Sequence, residues 1–165
     1  MKISLSSSEK LALAGLLAGC LVMTSAIPVR AALGGDAKSI DADVSAMQGT
    51  MSQPTASEPE PTAYTVKTFV TDHGTKVREY AAPSGAIFGV AWQGRRPPDL
   101  SVLLGPYYSE YASAAAAQRH KDLHRTRIET PDAVVMMAGH MGHAVGHAYV
   151  PSLVPSGVDP KAVVK

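Results

Sequence analysis

Three of the chain's six histidines fall within nine residues, GHMGHAVGH, running from Gly139 to His147 with Met141 among them. Imidazole and thioether together suit copper, Cu(I) above all. His140, His143, His147 and Met141 are therefore a candidate metal set, and the backbone decides whether they can converge. On a helix the histidines, spaced three and four, would share one side. Gly139, Gly142 and Gly146 would then each cost about 1 kcal/mol against alanine. On a continuous strand Met141, His143 and His147 share a face and His140 points away. His143 and His147 are then some 13 Å apart at about 3.3 Å per residue, too far to meet at bonds of roughly 2.0–2.1 Å. A hairpin turning near Met141-Gly142 would bring His140 against His143 as cross-strand neighbours. No carboxylate lies in the segment to orient an imidazole. The segment reads first as sheet, with glycines that allow bending or close approach. A copper-type site is the alternative.

Other residues could do chemistry less pointedly. Asp72-His73 with Glu79 could form an acid–base set, although Asp and His are ordinary turn residues. Arg95 and Arg96 beside Trp92 could grip an anion or a glycan, or form a solvated loop ahead of Pro97-Pro98. Tyr107, Tyr108 and Tyr111 lie at a spacing that suits core packing as well as binding. Arg119, His120, Lys121, His124, Arg125 and Arg127 make a basic stretch that reads as a solvated helix end. There is no GxSxG elbow, no HExxH, no phosphate loop and no dinucleotide fingerprint. No enzyme activity and no cofactor are expected.

These residues need elements to position them. YTVKTFV (64–70), TKVREYA (75–81) and AIFGVAW (86–92) are rich in β-branched and aromatic residues and are separated by TDHG and APSG turns, which predicts a three-stranded antiparallel meander. In the third strand Ala86, Phe88, Val90 and Trp92 share a face; in the second Lys76, Arg78 and Tyr80 share a more solvated one. Asp99 can cap a helix whose stripe runs through Leu100, Leu103, Leu104, Tyr107, Tyr108 and Tyr111, interrupted at Gly105-Pro106. LHRTRIET (123–130), AVVMMAG and HAVGHAYV read as further strands, and PSLVPSGVDP as irregular. The expected architecture is α+β: an antiparallel meander packed against a kinked helix pair, with further C-terminal antiparallel strands. The helices should cover one sheet face and bury Phe88, Trp92, Leu103, Leu104 and Tyr108.

The N-terminus is read as an export signal. Lys2 and Lys10 precede an apolar run from Leu11 to Ile27, and VRA ahead of Ala32 offers small residues for cleavage after Ala31. The run is shorter than the roughly 20 residues a permanent span needs, so no integral membrane span is expected after removal. LAGC, ending at Cys20, has the spelling of a lipobox, and lipidation of Cys20 is the runner-up. The expected division is a signal over 1–31, an N-terminal arm and Pro/Ser-rich linker over 32–62, and one α+β domain with an irregular C-terminal tail over 63–165. Within the arm, Ile40, Val44, Met47 and Met51 also fit a short helix opening near Ser39. The first 31 residues hold three of the 15 cations and one of the 14 acids, so the remainder carries a formal charge of −1. That balance offers no basic surplus for nucleic acid. The one cysteine, Cys20, falls within the signal, which leaves no disulfide and no thiolate ligand.

Five stretches, AALGGD, YTVKTF, GTKVREYAAPSGAIFGVAWQG, PDLSVLLG and GHAYVPSLVPSGV, make the chain resemble an exported bacterial family of unknown function, domain-of-unknown-function family 2844. The resemblance covers nearly all of the chain beyond residue 31. It implies a periplasmic or secreted protein and carries no catalytic residues, cofactor or ligand across. The expectation is a non-enzymatic envelope protein that binds a partner protein or a surface polymer, with the copper-type site as the alternative.

Overall fold

The computed structural model describes residues 32–52, 63–118 and 125–164. The expected export signal and Cys20, most of the expected proline-rich linker, and Arg119 to His124 lie outside them. Three segments rich in β-branched and aromatic residues form strands where the sequence places them: β2 (Thr65–Val70), β3 (Lys76–Ala81) and β4 (Ile87–Gly94). Three more follow, β5 (Arg125–Glu129), β6 (Val134–His140) and β7 (His143–Tyr149), and β1 (Thr50–Met51) adds a two-residue edge. All pairings are antiparallel, in the order β1-β2-β3-β4-β7-β6-β5. Two meanders are thus joined through β4 and β7, and the expected α+β architecture holds.

One sheet face carries the main core. Helices α1 (Ile40–Ala46), α2 (Leu100–Leu103) and α3 (Tyr108–Ala117) cover it. Val77, Val90, Trp92 and Val135 pack there against Ile40, Val44, Leu103, Leu104 and Tyr111. Asp99 caps α2 by accepting from the Ser101 amide at 2.8 Å. A 3-10 turn over Gly105–Tyr107 separates α2 from α3. Its tighter winding shifts the phase of the helical stripe. Tyr108, expected in the core, is consequently 38 % exposed, and Tyr111 takes the buried position.

Two further expectations are corrected. Phe88 does not share a face with Trp92. The β3–β4 register shifts between Tyr80 and Ala81, and the extra residue of this bulge turns Phe88 over. There it joins Tyr80 and Tyr64, with ring centroids 6.0–6.2 Å apart. The segment from Ala32 to Met51 is no loose arm. Leu33, Ile40, Val44 and Met47 are buried in the main core, and the backbone of Leu33 to Ala37 is hydrogen-bonded to Leu103, Gly85 and Ile87. The helix opens after Ser39 as expected but ends at Ala46, so Met51 lies in β1 opposite Phe69.

Among the described residues, the opposite, outer face is covered at one end only. After β7 the chain makes a 3-10 turn at Pro151–Leu153 and ends in α4 (Pro160–Val163), where proline takes the first helical turn it tolerates best. Leu153, Val154, Val158, Val163 and Val164 pack there over Tyr80, Phe88 and Ala91.

Candidate functional site

Strand alternation and register decide what the rest of the outer face presents. Across the sheet, Arg78 stands beside Ala91, then His147, Met136 and Arg127. The next row is Lys76, Gln93, Val145, Ala138 and Arg125. From β3 to β5 each row carries a cation at either end, and beyond β3 the rows continue on β2 as Thr68 and Val70. The middle three strands, β4, β7 and β6, present small, apolar or uncharged groups. The result is a shallow trough of about 330 Å³, lined by Arg78, Gln93, Arg125, Met136, Val145 and His147 among others. Among the strand residues of this face the acid is Glu129. It is ion-paired with Arg127, which also reaches the Met136 sulfur at 3.2 Å. His147 is half-buried on the floor. Burial lowers its pKa below the ordinary imidazole value, and the nearby Arg127 charge lowers it further, so near neutral pH it presents an uncharged ring.

The histidine segment is the hairpin among the three alternatives. β6 and β7 are joined by Met141-Gly142, with Gly142 at φ 81° and Met141 fully exposed in the turn. Met141 is thus separated from the strand face that His143 and His147 share. His140 and His143 are paired across the strands, their ring centroids 5.5 Å apart. His147 lies four residues along β7, opposite Met136. Among the described residues no three His, Cys, Asp or Glu side chains gather as a metal-binding group. Gly146 has a separate reason. A Cβ there would fall 2.3 Å from Trp92 Cζ2, so glycine is what lets β7 lie over the indole.

The remaining candidates are not brought together. Asp72 and His73 meet at 3.3 Å in the exposed β2–β3 turn, where they line a second hollow of mixed character with Met47, Gln48, Thr75 and Asp99. Glu79 is buried in the core instead. Arg95 and Arg96 are exposed after β4, whereas Trp92 is 3 % exposed on the core face. The Tyr111 hydroxyl contacts the Met137 sulfur at 3.8 Å; burial pushes its pKa up, with Tyr108 adding to the effect. Of the basic stretch, Arg125 and Arg127 belong to β5 rather than to a helix end, and its other members lie outside the described residues.

The sequence reading did not assemble the two rims. Their signal was present as cation–x–cation in KVREY and RTRIE, which puts like charges on one face of each strand. It also passed over Asp43, which is 0 % exposed in α1.

No helix among the described residues is long and apolar enough to cross a membrane. Compared with known families, the sequence model for a protein of unknown function (DUF2844) matches residues 29–163. No curated protein matches, and no solved structure matches.

Proposed function

Since the chain belongs to the DUF2844 family, whose description assigns no activity, we propose from its own geometry that it is an exported, non-enzymatic binding protein whose open outer sheet face is the contact surface. One observation carries this reading. The outer face is sealed by the C-terminal segment around Tyr80 and Phe88, and beyond that seal it becomes a trough with an apolar floor and charged rims. An apolar centre with a polar rim is the anatomy of a protein-binding patch. The periplasmic or secreted location rests on the basic start, the apolar run to Ile27 and the small residues ahead of Ala32. The partner is an envelope protein or surface polymer. Immobilised protein starting at Ala32 should retain such a component from envelope extract, and Ala138→Trp, which fills the floor, should abolish retention. Retention indifferent to that substitution would overturn the reading.

The pairing of His140 with His143 favours a second reading, a copper-type site at the hairpin built on those two imidazoles. Calorimetric titration with Cu(I), Cu(II) and Zn²⁺ separates the two. Nanomolar binding lost in His140→Ala/His143→Ala supports the metal reading. Binding weaker than about 10 μM, roughly −7 kcal/mol, or unchanged in that variant, rules it out.

A further inference from the structure

We propose that the trough of the outer face binds an extended acidic peptide segment of a partner protein, whose carboxylates meet the cationic rims while its apolar side chains rest on the floor. The inference rests on the binding reading of the same face and names the partner's chemistry. Charge complementarity carries it. Lys76 and Arg78 form one rim on β3, and Arg125 and Arg127 the other on β5. Arg127 is held by Glu129, the one strand acid on the face, and by the Met136 sulfur, so Arg125 is the β5 cation turned to a partner's carboxylate. The rims are four strand spacings apart, about 19 Å from backbone to backbone. Arg78 and Arg125 line the trough from its two sides, and a single extended chain fits that span.

Two features favour a peptide over other anions. Along the β3 rim Lys76 and Arg78 are two residues apart, a repeat of about 6.6 Å. An extended peptide with acids at alternate positions has the same repeat, so its carboxylates fall in step with the rim. The floor combines Met136, Ala138 and Val145 with the half-buried His147 imidazole, while the Trp92 indole lies beneath Gly146 on the core side. Aliphatic side chains at the alternate positions of the same peptide suit that floor. A planar membrane would need the cations to stand proud of the surface, and here they border a hollow.

The probe is a fluorescent peptide of about eight residues alternating glutamate and valine, with a lysine–valine counterpart, polygalacturonate and phosphatidylglycerol vesicles beside it. Protein starting at Ala32 should bind the glutamate–valine peptide, discriminate against the lysine–valine peptide by at least about tenfold, and weaken as salt rises. Lys76 and Arg125 are exposed, so Lys76→Glu/Arg125→Glu should keep the fold, checked by melting, and lose at least about tenfold in affinity. Arg125→Lys should retain most of it. No binding, equal binding of the two peptides, an unchanged affinity after the double charge reversal, or tighter binding of polygalacturonate or vesicles would each overturn the proposal. Its failure is separable from that of the binding reading. An envelope partner lost on Ala138→Trp but kept by the double charge reversal overturns the acidic-peptide assignment alone. A partner indifferent to both overturns both.

Discussion

Glu79 lies in the core, on the side of β3 facing α1, with neither carboxyl oxygen hydrogen-bonded among the described residues. Its pKa is raised to about 8, first by burial, then by the negative charge of Asp43, with Lys67 acting in the opposite sense. The folded state therefore holds a proton that the unfolded chain releases near pH 4.5. Stability from this group is complete below that pH, declines as pH rises toward 8 and is flat above it. Each pH unit in the window costs about 1.4 kcal/mol, so the whole span from 4.5 to about 8 approaches 5 kcal/mol. Urea midpoints at pH 5, 6.5 and 8 should fall for the wild type, and the slope should largely vanish in Glu79→Gln. A wild-type midpoint constant across the window would mean that the carboxyl is not held protonated. The inward orientation of Glu79 was legible, because strand alternation puts it opposite Arg78 and Tyr80. Its full burial was not, because an inward strand position is ordinarily apolar and Asp43 comes from a helix 36 residues away.

At the scale of elements, Trp92 ties the two meanders together. Its strand pairs with β7 at Gly146, and its indole fills the space that a side chain at Gly146 would need. Trp92→Ala should cost about 3–5 kcal/mol, as large aromatic truncations in cores do, read from chemical denaturation. A cost under about 1 kcal/mol would place the ring outside the core. Strand positions and the β2–β4 meander were legible because alternation and turn residues are local signals. The bulge at Phe88 was not, since a single inserted residue leaves no mark in composition while reversing the face of the side chain it carries. Tyr108 failed for a related reason: the 3-10 turn ahead of it changes the angle per residue, which a continuous helical stripe cannot express.

At the scale of the whole molecule, the core draws on both sides of the linker. Leu33, Ile40, Val44 and Met47 pack with Phe69, Val77 and Val90. A chain beginning at residue 63 should therefore lack cooperative unfolding, whereas one beginning at residue 32 should show a single transition by heat and by urea. Equal stability of the two would show that the early segment adds nothing to the core. The sequence suggested either a helix or an arm here, because four apolar residues at helical spacing do not reveal what they pack on. The candidate binding face was hidden more deeply. Its rims, KVREY and RTRIE, lie on strands that do not neighbour each other, and only the pairing of β4 with β7 sets them on either side of one floor. That pairing joins segments more than 40 residues apart and has no local signature.

The docked segment also fixes an order of events. Ala32 and Leu33 are buried, and the amides of Leu33, Gly34 and Ala37 are bonded to Leu103, Ile87 and Gly85. A peptidase works on locally unfolded chain. If the bond after Ala31 is the one cut, the cut must come before this stretch settles into place. Maturation would then be timed by a race between scission and the last step of folding, and a body that closed first would shield its own leader from removal.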